Sequence, residues 1–229
     1  LIGNQLAIAI TSARLLEQRE RQIRELRALG AISQAANTSL NLLMLLQQVY
    51  TVLRDLMPLD AFVMSIYDPR RDVVVEGIGI DEGQTYEYYP SNQPLPQGSF
   101  SAWVVRNRRM LHLRDVAKER SNYPELGRFL AGSGRPSASW LGVPLYDREE
   151  QIIGTIVVQS YTAEAFDEAD EKFLQNVAQQ AALHVQNVTL LAQRERQIRE
   201  LNAIGQIGRL VSATFDLEEI LQVVYETLR

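Results

Sequence analysis

The chain has 229 residues, a formal net charge of −5 from 23 basic and 28 acidic side chains, 46% apolar residues and no cysteine. The acidic balance leaves no basic footprint for nucleic acid, and the missing cysteine removes disulfides and thiolate nucleophiles and suits a cytoplasmic protein. Apolar stretches break off well short of the ~18 residues of a membrane span, and no signal peptide is visible, so no membrane contact is expected of this stretch.

Residues 1–37 contain no proline and many strong helix formers, which predicts a helix. Its apolar residues Leu16, Ile23, Leu26, Leu29 and Ile32 step by 7, 3, 3 and 3, the spacing of a helical seam. Within it, Gln18–Leu26 reads QRERQIREL, and Gln193–Leu201 repeats those nine letters. The offset is 175 residues (193 less 18), and it aligns 1–54 with 176–229 without a gap, 23 of the 54 pairs being identical. Self-similarity at a fixed period marks a repeated architecture. The chain therefore reads as the terminal helix of one unit (1–32), one full unit (33–187), and a linker helix with the start of the next unit (188–229), part of a longer tandem array. Leu16, Ile23 and Leu26, with their copies Leu191, Ile198 and Leu201, fit a short parallel coiled coil and hence a homodimer. A single helix with a solvated charged face is the alternative.

A second helix runs from Asn41 to about Met57, where Pro58 stops it. Ala61–Tyr67 and Asp72–Ile80 are rich in β-branched and aromatic residues and predict a hairpin across Asp68-Pro-Arg-Arg. Thr85–Tyr89 is a candidate third strand, and Ser91–Gly98, with two prolines, is loop. Ser99–Arg108 has helical spacing, and Met110–Arg114 is a short strand. Asp115–Pro136 is a long excursion with a short helix expected at Tyr123–Ala131; connections of that length often carry function. Ser137–Tyr146 and Gln151–Tyr161 predict a second hairpin. Asp167 opens a helix that meets neither proline nor glycine before Leu201 and runs on into the repeat. This order predicts an α+β unit: a central antiparallel sheet with the long N- and C-terminal helices on one face, the C-terminal helix continuing into the next repeat.

Ser139-Trp-Leu-Gly-Val-Pro-Leu145, Ile152-Ile-Gly-Thr-Ile-Val-Val158, Ala165-Phe-Asp-Glu-Ala-Asp170 and the run Leu174, Ala178, Ala181, Ala182 resemble the second half of a GAF domain. Pro96-Gln-Gly98, Ala102-Trp-Val-Val-Arg106 and Leu113-Arg-Asp115 resemble the segment around its pocket. The resemblance covers about residues 33–187. It implies a PAS-like fold and a sensory or dimerisation module rather than an enzyme, standing beside further GAF repeats and ahead of an output domain such as a histidine kinase or a cyclase. Apart from the resemblance, Pro144 restrains Val143 to extended backbone, and Gly154 within a strand leaves room for a close neighbour or a bulge.

No catalytic or metal set is expected. Bilin-carrying members of the family attach the pigment through a cysteine, which this chain lacks. Cyclic-nucleotide-binding members carry an Asn-Lys pair and then a Phe followed by two acids; Phe166, Asp170 and Glu171 match the end of that pattern, but Gln159-Ser-Tyr-Thr162 holds no Asn-Lys. No cofactor is therefore expected. Two distant histidines, His112 and His184, do not make a zinc site. The candidate pocket set is Tyr88, Phe100, Trp103, His112, Arg114, Tyr123, Phe129, Ser139 and Trp140: aromatic walls with a few polar groups, as small-molecule sites have. The alternative is that Phe100, Trp103 and Trp140 simply fill the core. Three functions fit this reading: a sensory module signalling through its linker helix, a purely structural dimerisation spacer, and a receptor domain binding a small molecule non-covalently.

Overall fold

The computed structural model describes residues 10–12, 15–16, 19–27, 29–30, 42–86, 92–127 and 134–227, the side chains of 210–220 and 223 aside. The chain divides into two compact units, Leu1–Gln186 and Asn187–Arg229.

In the first unit, helix α1 (Leu42–Leu56) buries Leu45, Leu46, Val49 and Leu53, a one-face spacing of one, three and four residues. Strands β1 (Ala61–Asp68) and β2 (Val73–Asp81) form the expected hairpin, and β3 (Gln84–Tyr86) adds to β2. Helix α2 (Phe100–Asn107) is capped by the Ser99 hydroxyl, which accepts from the Ala102 amide, and strand β4 (Leu111–Leu113) comes next. Strands β5 (Ser139–Tyr146) and β6 (Ile152–Ser160) make the second hairpin. The sheet order is β3-β2-β1-β6-β5-β4, antiparallel throughout, so its central pair joins the first strand to the last.

Alternation along the strands sorts the core into two layers. Phe62, Met64, Ile156, Val158, Leu141, Val143 and Leu145 face α1 and the first turns of the C-terminal helix, where Phe173, Leu174, Val177, Ala178, Ala181 and Val185 meet them. Val63, Val157, Trp140, Leu111 and Leu113 face the opposite way, against Phe100, Trp103 and Val104 of α2. Gly154 sits where an added Cβ would lie 2.2 Å from the Ser65 carbonyl oxygen, so the neighbouring strand's backbone occupies the side-chain position. Pro144 lies beyond the end of β4, where β5 has a partner on one side only and a missing N–H is tolerated.

One expectation fails in the excursion. The described part of 123–131 is not helical; the helix there is α3 (Val116–Glu119), continued by a 3₁₀ turn at Arg120–Asn122. Asp115 caps α3 by accepting from the Lys118 amide, and Glu119 returns the bond by accepting from the Asp115 amide at 2.8 Å. That reciprocal pair fixes the helix start at Asp115, eight residues ahead of the expected one. The C-terminal helix α4 runs from Glu168 to Thr227. Among the described residues, no helix is long and apolar enough to cross a membrane.

Candidate functional site

The excursion folds over α2 and leaves a cleft of about 630 Å³ on the sheet face away from α1. It is lined by Phe100 at the start of α2, by Val116, Ala117, Arg120, Ser121, Tyr123 and Leu126 of the excursion, and by Pro136 and Ser137 ahead of β5. Backbone bonds hold these walls in place: the Val116 amide donates to the Ala138 carbonyl at 2.8 Å, and the Gly127 amide to the Gly98 carbonyl at 2.8 Å. Gly98 has φ +77°, and a Cβ there would meet the Gly127 amide nitrogen at 3.2 Å, so a side chain at this crossing would both strain the backbone and crowd the excursion.

An aromatic wall stands behind the cleft. Phe100 and Trp140 meet edge to face with centroids 5.3 Å apart, and Trp103 and Tyr123 do the same at 5.4 Å. The Trp103 indole donates to Glu125 at 2.5 Å, tying the excursion to α2. Trp140 is 1% exposed, and its ring covers Gly142, where a Cβ would lie 2.2 Å from the indole Cη2. Among the described lining residues polar groups are few, and Arg120 is the charged one. Ser137 donates to the side-chain carbonyl oxygen of Gln159, a buried residue of β6 whose Nε2 has no hydrogen-bond partner. The combination of apolar walls and a sparse polar rim suits a small, partly polar molecule held without covalent chemistry.

The structure brings Phe100 and Tyr123 of the nine expected pocket residues to the cleft, with Trp103 and Trp140 packed behind them. Three others lie elsewhere. Ser139 is buried and donates to the Thr162 carbonyl at 3.0 Å. Arg114 is exposed. His112 points from β4 toward α4, where its Nδ1 lies 2.5 Å from Glu171; alternation puts it opposite Leu111 and Leu113, and a helix covers that face. Tyr88 and Phe129 fall outside the described residues. Missing from the expected set were Val116, Ala117, Arg120, Ser121, Pro124, Leu126 and Pro136 of the excursion and Ser137 just after it. The signal that could have found them is the Asp115–Glu119 cap.

The residues that match the end of the cyclic-nucleotide pattern are engaged in the fold. Phe166 is buried in the helix-side core, and Glu171 pairs with His112. The Asp170 carboxylate accepts from the Asp167 amide at 2.9 Å and from Arg21 at 2.8 Å. Burial pushes the Asp170 carboxyl above its ordinary range, against the pull of the Asp167 amide and of Arg21. At Asp167 burial acts the same way, but the amides of Asp170 and Ala169, helped by Arg21, hold the carboxyl below its usual range. The seam residues Leu16, Ile23, Leu26, Leu191, Ile198 and Leu201 are all exposed, between 45% and 69%.

A family model described as GAF domain matches residues 41–185. Among solved structures, the chain is similar to the GAF domain of a phosphoenolpyruvate-protein phosphotransferase from Coxiella burnetii, at 19% identity and TM-score 0.57, over 75% of this chain and 98% of that one. It is also similar to a free methionine-R-sulfoxide reductase from Neisseria meningitidis in complex with its substrate, at 17% identity and TM-score 0.57, over 73% and 91%. Residues 122 to 287 of a methyl-accepting chemotaxis protein match at 18% identity and TM-score 0.56, over 70% and 98%. At these identities the likeness is one of fold. None of the curated proteins compared matches the chain.

Proposed function

The chain belongs to the GAF domain family, and on that premise we propose that residues 33–187 act as a non-catalytic sensory unit of a tandem signalling array. Two copies pair through their terminal helices, and α4 relays a change in packing toward an output domain. The observation that carries this reading is the continuity of α4. The helix supplies Phe173, Leu174, Val177 and Val185 to the core and goes on to carry the exposed Leu191, Ile198 and Leu201. A shift in the core wall is therefore a shift of the same helix that presents the seam. Signalling requires two packings of comparable energy, one of them favoured by a ligand or a neighbour. We assign the unit to the cytoplasm because a chain without cysteine suits a reducing compartment.

The cleft favours the receptor form of this reading over a structural spacer, because a spacer has no use for about 630 Å³ beside an aromatic wall. The fold likeness to a reductase does not carry its chemistry, and this chain has no cysteine to supply thiol electrons. Pairing is tested by sedimentation at micromolar concentration. A species of twice 25.9 kDa is expected. Replacing Ile23 and Ile198 together with lysine should leave monomers, since a buried unpaired ammonium is costly. A wild-type chain that sediments only at 25.9 kDa refutes the pairing.

A further inference from the structure

Over the described residues, 19–26 and 194–201, the two copies of QRERQIREL fold alike. In the first, Arg21 Nε lies 3.1 Å from Glu25 and Arg24 lies 3.9 Å from Glu20. In the second, Arg196 Nε lies 3.0 Å from Glu200 and Arg199 lies 3.8 Å from Glu195. The seam is open in both: Ile23 and Leu26 are 48% and 69% exposed, Ile198 and Leu201 57% and 68%.

The copies differ on another face. Arg21 Nη2 donates to Asp170 at 2.8 Å, and Nη1 lies 3.8 Å from Asp167. Eight residues on, Leu29 leaves the seam in which its spacing placed it and packs against the core layer formed by α1 and α4. So the first copy docks onto its unit by one guanidinium and one leucine, placed on a broad common face of the helix. The residues 175 further along are Arg196, whose side chain is 78% exposed, and Ile204, 66% exposed. Ile204 replaces a leucine with a residue of the same volume, and the arginine is unchanged. After them, residues 208–229 stand where 33–54 stand in the first unit, and 217–229 repeat 42–54 at seven of thirteen positions.

We propose that the face bearing Arg196 and Ile204 is the docking surface for the GAF unit that residues 208–229 begin, and that it takes the Asp-x-x-Asp start of that unit's last helix as Arg21 takes Asp167 and Asp170. This rests on the tandem reading. The contact is a charge-assisted hydrogen bond to a buried carboxylate beside an apolar knob. In the open it would be weak; on one polypeptide the high effective concentration makes it persistent. One helix then serves two purposes at once: its seam faces a second chain, and its Arg196 face holds the next unit in a fixed rotational setting.

The test extends the chain after Arg229 with a second copy of its own residues 55–186, which continues the register without a gap. Because the chain has no cysteine, paired cysteines report cleanly with a short bismaleimide cross-linker. Arg21→Cys is combined with Asp170→Cys in the first unit. Arg196→Cys is combined with the same substitution in the appended unit. Arg194→Cys, about 200° away around the helix, replaces Arg196→Cys in a control. Cross-linking of the first two pairs to the same extent, with the control silent, is the expected result. Cross-linking at Arg21 but not at Arg196, in a protein whose unfolding signal shows two folded units, overturns the docking surface and leaves the tandem reading standing. An appended unit that does not fold overturns the tandem reading, and the docking surface falls with it.

Discussion

Gly142→Ala is the sharpest test of the aromatic wall. An added Cβ would lie 2.2 Å from Cη2 and 2.5 Å from Cζ3 of Trp140, over an ångström inside ordinary contact. The indole cannot retreat easily, being 1% exposed and held edge to face by Phe100 at 5.3 Å. Overpacking of this kind costs about 1–3 kcal/mol, which in a chain of this size lowers Tm by roughly 2 to 12 °C. Trp140→Phe removes the outer ring edge that the new methyl meets, at the cost of a cavity. The double variant should therefore lose less stability than the sum of the two single losses. Urea unfolding monitored by far-ultraviolet circular dichroism gives all three values, and the coupling should exceed about 0.5 kcal/mol in the compensating direction. A harmless Gly142→Ala, or strictly additive losses, would show that Trp140 does not lie over Gly142 and that the wall behind the cleft is built differently.

Three further outcomes rest on named contacts. Burial pushes the His184 imidazole below its ordinary pKa of 6.5, so the unfolded chain takes up the proton first and stability falls as pH drops below about 6.5; the His184→Gln variant should show a flatter profile than wild type between pH 6.5 and 5 in urea titrations. Millimolar cyclic nucleotide should leave Tm unchanged, because the Asn-Lys pair is missing and Asp170 and Glu171 already hold Arg21 and His112; a clear rise would mean native-state binding and would overturn that reading. In a longer protein with an output domain, inserting four residues after Gln193 turns the downstream chain by roughly 40°, whereas seven residues turn it by about 20° the other way. The shorter insertion should disturb output more, and equal outputs would make α4 a passive tether.

The strands were legible because their alternation is strong and their breakers are specific. Val63 and Val157 go to one layer and Phe62, Met64, Ile156 and Val158 to the other, and Gly154 marks a strand crossing close enough to exclude a side chain. The cleft was only half legible. Aromatic residues announce a wall, but they do not say which of them face a void: Trp103 and Trp140 stand behind Phe100 and Tyr123 rather than beside them. The rim was hidden in a segment whose helix was expected at Tyr123, whereas the Asp115 cap starts it at Val116. His112 was ambiguous for a different reason. Period-two alternation gives its face, but the cover on that face is a helix whose start lies more than fifty residues later.

The central strands pair Ala61 with Gln159 and Ile66 with Gly154. Nearly a hundred residues separate those partners, and the loop-closure entropy must be met before the pairing stabilises anything. Folding of the unit is therefore expected to be slow for its size. On a ribosome, the β1–β2 hairpin emerges first and waits, with the edge of β1 open, until β6 has been made. In a protein that carried several such units in a row, that open edge would also be offered the β6 of a neighbour, the usual route to strand-exchanged misfolds between repeats.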